Sequence, residues 1–210
     1  MAELCRKNAR PPVGCVIMAS GLARRFGSNK LLADFGGRPL LCRALDATDT
    51  PLLAARIVVT RSAEVQQLCQ AQGVPCLLHA LPRRNDTVRL GLSALLAEVP
   101  DLSGCVFLPG DQPLFRRETL ERMIRPQKET EREIVRLAYR TENDPEPTVG
   151  SPVLFGSSFF SELLTLPEGK GGSVLLRNHP EQVRCVFTSN RAELLDADTP
   201  EALQELLQLL

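Results

Sequence analysis

One segment near the start of the chain constrains the fold more than any other. Residues 13–32 read VGCVIMASGLARRFGSNKLL, an apolar run followed by a loop of glycines and cations and then by more apolar residues. The run at 13–19 predicts a buried strand. Glycine lets backbone N–H groups approach an anion closely, and arginine and lysine supply positive charge. The segment therefore predicts an anion-binding loop at the carboxyl end of a strand, and the alternative is a solvent-exposed loop beside a core strand.

The rest of the chain alternates between short apolar runs and longer helical patterns. Further strands are predicted at 56–60, 74–79, 104–109, 133–139, 152–155 and 183–187. Helical periodicity is found at 39–48, 62–72, 86–98, 116–125, 157–164, 172–178 and 200–210. Strands that are almost continuously apolar and separated by helices are typical of a parallel sheet covered on both faces. We therefore predict a Rossmann-like α/β fold, doubly wound around a mostly parallel sheet.

The length of 210 residues favours a single domain with a substantial core. Residues 1–12 lack an apolar core, so we expect a polar tail and no secretory signal. We expect residues 13–140 to form a nucleotide-binding half and 150–210 a substrate-side half. The acidic, aperiodic segment 141–150 is expected to link them, or to form a flap over a ligand.

Composition argues against several classes of function. The formal net charge is zero, so no broad basic surface favours nucleic acid or an anionic membrane. No apolar stretch approaches the roughly 20 residues of a membrane-spanning helix. The seven cysteines form no CxxC pair, and with two histidines they give no zinc-ligand spacing. Free thiols in a reducing, cytoplasmic environment are the resulting expectation.

The first loop does not match the common phosphate-binding motifs. A Walker A motif requires adjacent Gly-Lys-Ser/Thr, whereas Ser28 and Asn29 separate Gly27 from Lys30. The GxGxxG pattern is also missing. A P-loop ATPase and a dinucleotide-dependent dehydrogenase are therefore not supported, and the loop must hold phosphates in another way, with Arg25 and Lys30 as cationic arms.

Two groups of carboxylates are placed where a metal could bind. Asp111 follows the apolar strand 104–109, and a carboxylate at a strand end commonly holds Mg²⁺ together with phosphate oxygens. Its alternative role is to cap the helix at 116–125 or a turn. Asp196 and Asp198 would project to the same side of an extended segment. Thr199 or Asp198 would cap the next helix, which leaves a carboxylate for a second metal contact.

Other polar segments fall at the same predicted edge of the sheet. Lys170 lies among the glycines of 169–172, where backbone amides and one cation could meet an anion. Ser151 lies at the entry to a strand and is expected to line the cleft. Asp86 begins a helix, where a capping role is at least as plausible as contact with a nucleotide. His79 and His179 have no obvious nucleophile beside them, so neither is assigned a catalytic role.

Three motifs together resemble a known family. MASGLARRFGSNKLL, LPGDQPL and LLDADTPEAL occur in the order found in the MobA-like NTP transferases, and most closely resemble the cytidylyltransferases of the molybdenum cofactor. The resemblance extends from about residue 13 to 205. It implies a fold like that of the nucleotide-diphospho-sugar transferases. It also implies Mg²⁺-dependent transfer of CMP from CTP to molybdopterin, with release of pyrophosphate.

The resemblance also implies roles for individual residues. The triphosphate would be held by the first loop, with Arg25, Lys30 and Asp111 as the catalytic residues. Asp111 would bind Mg²⁺, and Asp198 would be a second ligand. The nucleotide-binding residues would be Ala19, Ser20, Gly21, Arg25, Gly27, Lys30 and Asp86. The acceptor-binding residues would be Gln112, Ser151, Lys170 and Gly171.

The chain departs from the family pattern at two positions. Ala23 stands where the loop commonly has serine, and Ser151 stands where relatives often have histidine. Ser20 excludes neither cytosine nor guanine, so GTP is an alternative to CTP. A sugar phosphate or alcohol phosphate is an alternative acceptor. A non-catalytic nucleotide-binding accessory protein is a further alternative, and a target molybdoenzyme or its chaperone is a possible partner.

Overall fold

The computed structural model describes residues 12–21, 26, 29–125, 133–142 and 145–210. The strands are β1 Val13–Ala19, β2 Ala55–Thr60, β3 Cys76–Leu78, β4 Gly104–Pro109, β5 Ile134–Tyr139, β6 Thr148–Gly156 and β7 Val183–Thr188. The α-helices are α1 Leu41–Ala47, α2 Ala63–Ala71, α3 Arg84–Glu98, α4 Arg117–Ile124, α5 Phe160–Leu164, α6 Ser173–Asn178 and α7 Pro200–Leu207. Short 3₁₀ turns occupy Lys30–Leu32, Ser157–Phe159, Pro180–Gln182 and Arg191–Leu194.

The seven strands form one sheet in the order β3-β2-β1-β4-β6-β5-β7. Strands β1 to β4 are mutually parallel, and β7 is parallel to β5. Strand β6 runs antiparallel to both of its neighbours, β4 and β5. The prediction of a mostly parallel α/β sheet is confirmed. Because β6 is reversed, its first residues lie at the edge of the sheet where the parallel strands end.

Helices cover both faces of the sheet, as predicted. On one face, Cys15 and Ile17 of β1 share a core with α1, α2, α4 and α7; we call this the α1 face. On the other, Val16 shares a core with α3, α5 and α6; we call this the α3 face. Alternate residues of each strand point to opposite faces, so the continuous apolar runs fill both cores.

Helix α3 lies unusually close to the sheet at Gly91. A Cβ atom on Gly91 would lie 2.6 Å from Cγ1 of Val16 and 3.0 Å from Cγ2 of Val59. Glycine is therefore required by packing, and the expectation of close contact at this position is confirmed.

Several boundaries differ from the sequence-based expectation, and two of them lie at the edge of the sheet that carries the site. Strand β6 begins at Thr148, four residues before the predicted start, because it pairs with β5 up to Tyr139. Residues 148–150 of the segment expected to link two halves therefore belong to the sheet. Helix α3 begins at Arg84, two residues before the predicted start. The described helices include none that is both long and apolar enough to span a bilayer, and the six described cysteines are free thiols.

Candidate active site

The centre of the site is a lysine between two carboxylates. Nζ of Lys30 lies 2.5 Å from Oδ2 of Asp111 and 2.9 Å from Oδ1 of Asp198. Lys30 is almost buried, with 9% of its surface exposed. Burial alone would lower the pKa of Lys30, but the hydrogen bonds and charges of Asp111 and Asp198 outweigh it, so the pKa is raised. The ammonium is therefore charged at neutral pH and binds both acids.

Local backbone contacts bring these three residues together. The N–H of Gly110 donates to the carbonyl of Met18 at 3.0 Å, which continues the pairing of β1 with β4 up to the residue before Asp111. The N–H of Ala197 donates to the carbonyl of Asp111 at 2.9 Å. This bond fixes the segment after β7 against the end of β4, and places Asp111 beside Asp198.

Thr199 is the residue that caps α7. Its hydroxyl accepts a hydrogen bond from the N–H of Ala202 at 3.2 Å, and Pro200 occupies the first turn. Of the two candidate caps, threonine therefore performs the role. The carboxylate of Asp198 is directed to Lys30 instead of to the helix.

Asp196 is a third carboxylate close to Asp111 and Asp198. Although part of Asp196 reaches solvent, desolvation is the main cause that raises its pKa to about 6, and the charge of Asp111 adds to it. A hydrogen bond from Gln112 opposes the shift. Gln112 is 2% exposed, and its Oε1 has no hydrogen-bond partner within the described residues. The Gln112 side chain thus contacts Asp196, and binding of the acceptor by Gln112 stays a prediction.

The site fits a magnesium ion of the nucleotide-bound kind. Two carboxylate oxygens that contact one ammonium nitrogen can also share one metal ion in its place. Mg²⁺ is typically held by one or two protein carboxylates, with phosphate oxygens and water completing its shell. No group of three or more His, Cys, Asp or Glu side chains in the described part of the chain is arranged as a metal site. The donor set therefore suits a metal that arrives with phosphate.

A serine–histidine contact joins the ends of β1, β2 and β3. The hydroxyl of Ser20 donates to the carbonyl of Val59 at 3.0 Å, and lies 3.0 Å from Nε2 of His79. Arg61 Nε donates to the carbonyl of Ser20 at 3.0 Å. Nδ1 of His79 is buried without a partner among the residues described. Desolvation, followed by the charge of Arg61, lowers the pKa of His79, and Asp86 opposes the change.

The surroundings of His79 are not evident from the sequence. No nucleophile lies near it in the chain, yet the fold brings Ser20 to it over 59 positions. The available signal was positional: His79 immediately follows β3, at the same edge where Ser20 follows β1.

The glycine segment 168–172 rests on the start of α3. The N–H of Gly169 donates to Oδ1 of Asn85 at 2.9 Å. A Cβ atom on Gly171 would lie 2.9 Å from Cδ of Arg84, so the backbone at Gly171 is in close contact with the Arg84 side chain. Gly169 has a φ of 72°, a conformation that favours glycine. The segment carrying Lys170 therefore packs against the first turn of α3.

Asp86 performs the capping role. Its Oδ2 accepts a hydrogen bond from the N–H of Arg83 at 3.2 Å, within the first turn of α3. Arg89 lies 3.5 Å from its other oxygen. The capping interpretation is confirmed, and contact of Asp86 with a nucleotide stays a prediction.

The predicted residues fall into three groups in space. Lys30, Asp111 and Asp198 are in direct contact. Ala19, Ser20 and Gly21 lie at the carboxyl end of β1, while Ser151 lies near the start of β6. Lys170 and Gly171 lie in the segment that packs against the start of α3. Arg25 and Gly27, with Ala23, are outside the described residues.

Comparison with known proteins gives a consistent result. The model of the MobA-like NTP transferase domain matches residues 15–183. A 3-deoxy-manno-octulosonate cytidylyltransferase of Polynucleobacter asymbioticus is 32% identical over 103 residues, which are 47% of this chain and 41% of that protein. The match thus spans less than half of the length of that relative.

Solved structures resemble the whole chain. The Mycobacterium tuberculosis protein Rv0371c is 26% identical, with a TM-score of 0.78 over 94% of this chain and 98% of that one. The same protein in complex with manganese gives a TM-score of 0.71 at 24% identity, over 95% of this chain and 100% of that one. The expected likeness to the nucleotide-diphospho-sugar transferase fold is confirmed. With its family model matched over most of its length, the chain belongs to the MobA-like NTP transferases, a family of nucleotidyl-transfer enzymes.

Proposed function

We propose that this protein transfers CMP from CTP to molybdopterin, releases pyrophosphate and uses Mg²⁺. The observation that carries the proposal is the contact of Lys30 with Asp111 and Asp198 at the carboxyl edge of the sheet. In doubly wound folds, ligands bind outside this edge. A cation and two acids there suit a triphosphate with its metal. The cytidylyltransferase relative supports CTP, and the resemblance of the three motifs together to the cytidylyltransferases of the molybdenum cofactor supports the acceptor.

The chemistry requires positioning and charge neutralisation, and no covalent intermediate. A phosphate oxygen of the acceptor attacks the α-phosphorus of CTP in line, a new P–O bond forms, and the bond to the β-phosphate oxygen breaks. Pyrophosphate leaves with the electron pair. Lys30 would neutralise charge that develops on pyrophosphate, and Arg25 of the first loop is expected to assist. Bound between Asp111 and Asp198, Mg²⁺ would supply further neutralisation of the phosphate oxygens.

A second candidate is cytidylyl transfer to a sugar acid. It is favoured by the 32% identical relative, a 3-deoxy-manno-octulosonate cytidylyltransferase. The nucleotide side of the site would be the same, and the attacking group would be a hydroxyl oxygen in place of a phosphate oxygen.

The experiment is pyrophosphate release, measured with CTP, GTP, ATP and UTP against molybdopterin and 3-deoxy-manno-octulosonate in separate arms. We expect CTP with molybdopterin to give the fastest release, and Asp111→Asn to reduce it by at least 100-fold. Asp46→Asn is the matched control, since Asp46 forms an exposed ion pair with Arg38 away from the site. Full turnover by Asp111→Asn would contradict the mechanism. Nucleotide binding without release in every arm would favour the accessory protein.

A further inference from the structure

A buried glutamate joins the two loops that carry the acids of the site. Glu193 lies in the 3₁₀ turn Arg191–Leu194 after β7, and 2% of its surface is exposed. Its Oε1 accepts a hydrogen bond from the hydroxyl of Thr188 at 2.5 Å, and its Oε2 accepts one from the N–H of Arg116 at 3.2 Å. A carboxylate removed from water is costly unless such donors replace its hydration. Since one donor ends β7 and the other precedes α4, Glu193 connects these two elements.

Three contacts link the loop before α4, residues 110–116, to the loop before α7, residues 189–199. The hydrogen-bonded pairs are Arg116 with Glu193, Gln112 with Asp196, and Asp111 with Ala197. Residue numbers rise along one loop as they fall along the other, so the two loops run antiparallel side by side. Asp198 follows Ala197, so the two acids that contact Lys30 lie at one end of these contacts and Glu193 lies at the other.

The contact with Glu193 also fixes the start of α4. Arg116 precedes the first residue of this helix, and its own side chain forms no capping hydrogen bond. The carboxylate of Glu193 accepts a hydrogen bond from the N–H of Arg116 instead, and a carboxylate at this end is also favoured by the helix dipole. The loop before α4 is therefore held at its far end by a side chain from the loop before α7.

Glu193 differs from the other two contacts because it lies outside the reacting centre. The bond between Asp111 and Ala197 uses main-chain atoms, which no side-chain substitution removes. The contact of Gln112 with Asp196 belongs to the site itself. Glu193 can therefore be changed while every side chain of the site is kept, and its removal unties the loops at the end remote from the acids.

We propose that Glu193 is a positioning residue, which fixes the two loops so that Asp111 and Asp198 can share one divalent cation. Two carboxylates that bridge such an ion tolerate little change in their separation, because Mg²⁺ demands near-ideal octahedral geometry. A misplacement of about 1 Å can reduce a rate on the order of 100-fold. The inference rests on the proposed nucleotidyl transfer, and it names the residue through which the fold keeps the acids in place. In this role Glu193 contacts neither substrate nor metal.

The first test compares metal binding by Glu193→Ala and Glu121→Ala. Glu121 is a matched control, since it lies on α4 and accepts a hydrogen bond from the hydroxyl of Thr50 at 2.8 Å. Mn²⁺ is titrated at a fixed concentration of CTP without acceptor, and free Mn²⁺ is followed by electron paramagnetic resonance against a protein-free CTP solution. We expect Glu193→Ala to weaken Mn²⁺ binding at least fivefold and Glu121→Ala to leave it within twofold. Equal affinity in Glu193→Ala and the unaltered protein would overturn the proposal.

Glu193→Gln separates positioning from charge. Its amide oxygen can accept from the N–H of Arg116, and its NH₂ group can donate to the hydroxyl of Thr188, so both contacts can be kept. We expect Mn²⁺ affinity within twofold of the unaltered protein. Binding as weak as in Glu193→Ala would mean that the charge of Glu193 acts on the metal, which contradicts a positioning role.

A further variant covers the case in which Glu193→Ala does not fold, as judged by circular dichroism. Thr188→Val keeps Glu193 and removes one of its two donors. We expect it to weaken Mn²⁺ binding at least twofold, and an unchanged affinity would refute the proposal.

Pyrophosphate release, measured in parallel, distinguishes this inference from the proposed function. With CTP and molybdopterin, we expect Glu193→Ala to lower kcat at least tenfold and to raise the Mg²⁺ concentration for half-maximal rate at least fivefold. The KM for molybdopterin should stay within threefold. Release by the unaltered protein together with equal Mn²⁺ affinity in all variants would refute the role of Glu193 alone. A difference in Mn²⁺ affinity without release by any of the proteins would refute the proposed function alone.

Discussion

Removal of the cation at the centre of the site gives the sharpest test of its geometry. In Lys30→Met, the oxygens of Asp111 and Asp198 that now contact one nitrogen at 2.5 and 2.9 Å lose their shared partner. The aliphatic part of the side chain is kept, so the change is mainly one of charge. We expect the variant to fold, to be less stable, and to respond more strongly to Mg²⁺ than the unaltered protein.

The expected decrease in the free energy of unfolding can be estimated from the two ion pairs of Lys30. At an effective dielectric constant of about 20, unit charges about 4 Å apart attract by about 4 kcal/mol before desolvation. The Asp111 side chain is 20% exposed and that of Asp198 is 51% exposed, so the second pair is strongly screened. After desolvation is included, we expect a net loss of about 2 kcal/mol. In a protein of this size that corresponds to a Tm lower by about 4–8 °C.

Magnesium should restore part of this loss. With Lys30 removed, the two acids lose the ammonium group that they share, and a divalent ion can take the vacated position. If the ion binds with a Kd of about 1 mM, 10 mM Mg²⁺ stabilises the variant by about 1.4 kcal/mol, or about 3–6 °C. In the unaltered protein Lys30 competes with the metal, so the rise without nucleotide should be smaller.

The assay is thermal unfolding with EDTA and with 10 mM Mg²⁺, using Arg38→Met as control. Arg38 forms an exposed pair with Asp46, so Arg38→Met should leave both the Tm and its response to Mg²⁺ nearly unchanged. A rise in Tm with Mg²⁺ that is no larger in Lys30→Met than in the unaltered protein would refute the reasoning. The two carboxylates would then not converge on one cation.

Three further outcomes follow from local geometry. Gly91→Ala should cost about 1–3 kcal/mol in urea unfolding because the new Cβ would lie 2.6 Å from a methyl group of Val16, whereas Ser93→Ala, exposed on the same helix, should stay within about 0.5 kcal/mol. Thr199→Ala should cost about 1 kcal/mol by removing the cap of α7, and an unchanged stability would contradict that role. His79, whose pKa is lowered on folding, binds its proton more readily in the unfolded chain, so stability should fall as pH drops below about 6.5; His79→Gln should weaken that fall between pH 7 and 5, and identical pH profiles would argue against it.

The strands and helices could largely be predicted because their apolar patterns are strong. Strand β6 shows where that information ends. Its apolar residues 153–155 identify a strand, but periodicity is the same for either direction, and only pairing with β4 and β5 shows that it is antiparallel. The extra residues at its start are exposed, so they carry no apolar signal, and they join the sheet because β5 offers a partner up to Tyr139.

Only part of the candidate site could be predicted from the sequence. Asp111 and Lys30 could be predicted because each lies beside an apolar run that fixes its place at the sheet edge. The choice between Asp198 and Thr199 as the helix cap could not be made, since both residue types cap helices well and only the contact with Lys30 separates them.

One backbone hydrogen bond explains why the two acids can act together. Asp111 and Asp198 are far apart in the chain, and they lie in two different loops. The bond from the N–H of Ala197 to the carbonyl of Asp111 ties the loops at their tips, and Ala197 is completely buried there. A shift of either loop would therefore expose an apolar side chain and break this bond. Since a side-chain change at Ala197 cannot remove its N–H, the spacing of the two acids is set by main-chain geometry, which suits a site whose chemistry depends on positioning charges around phosphate.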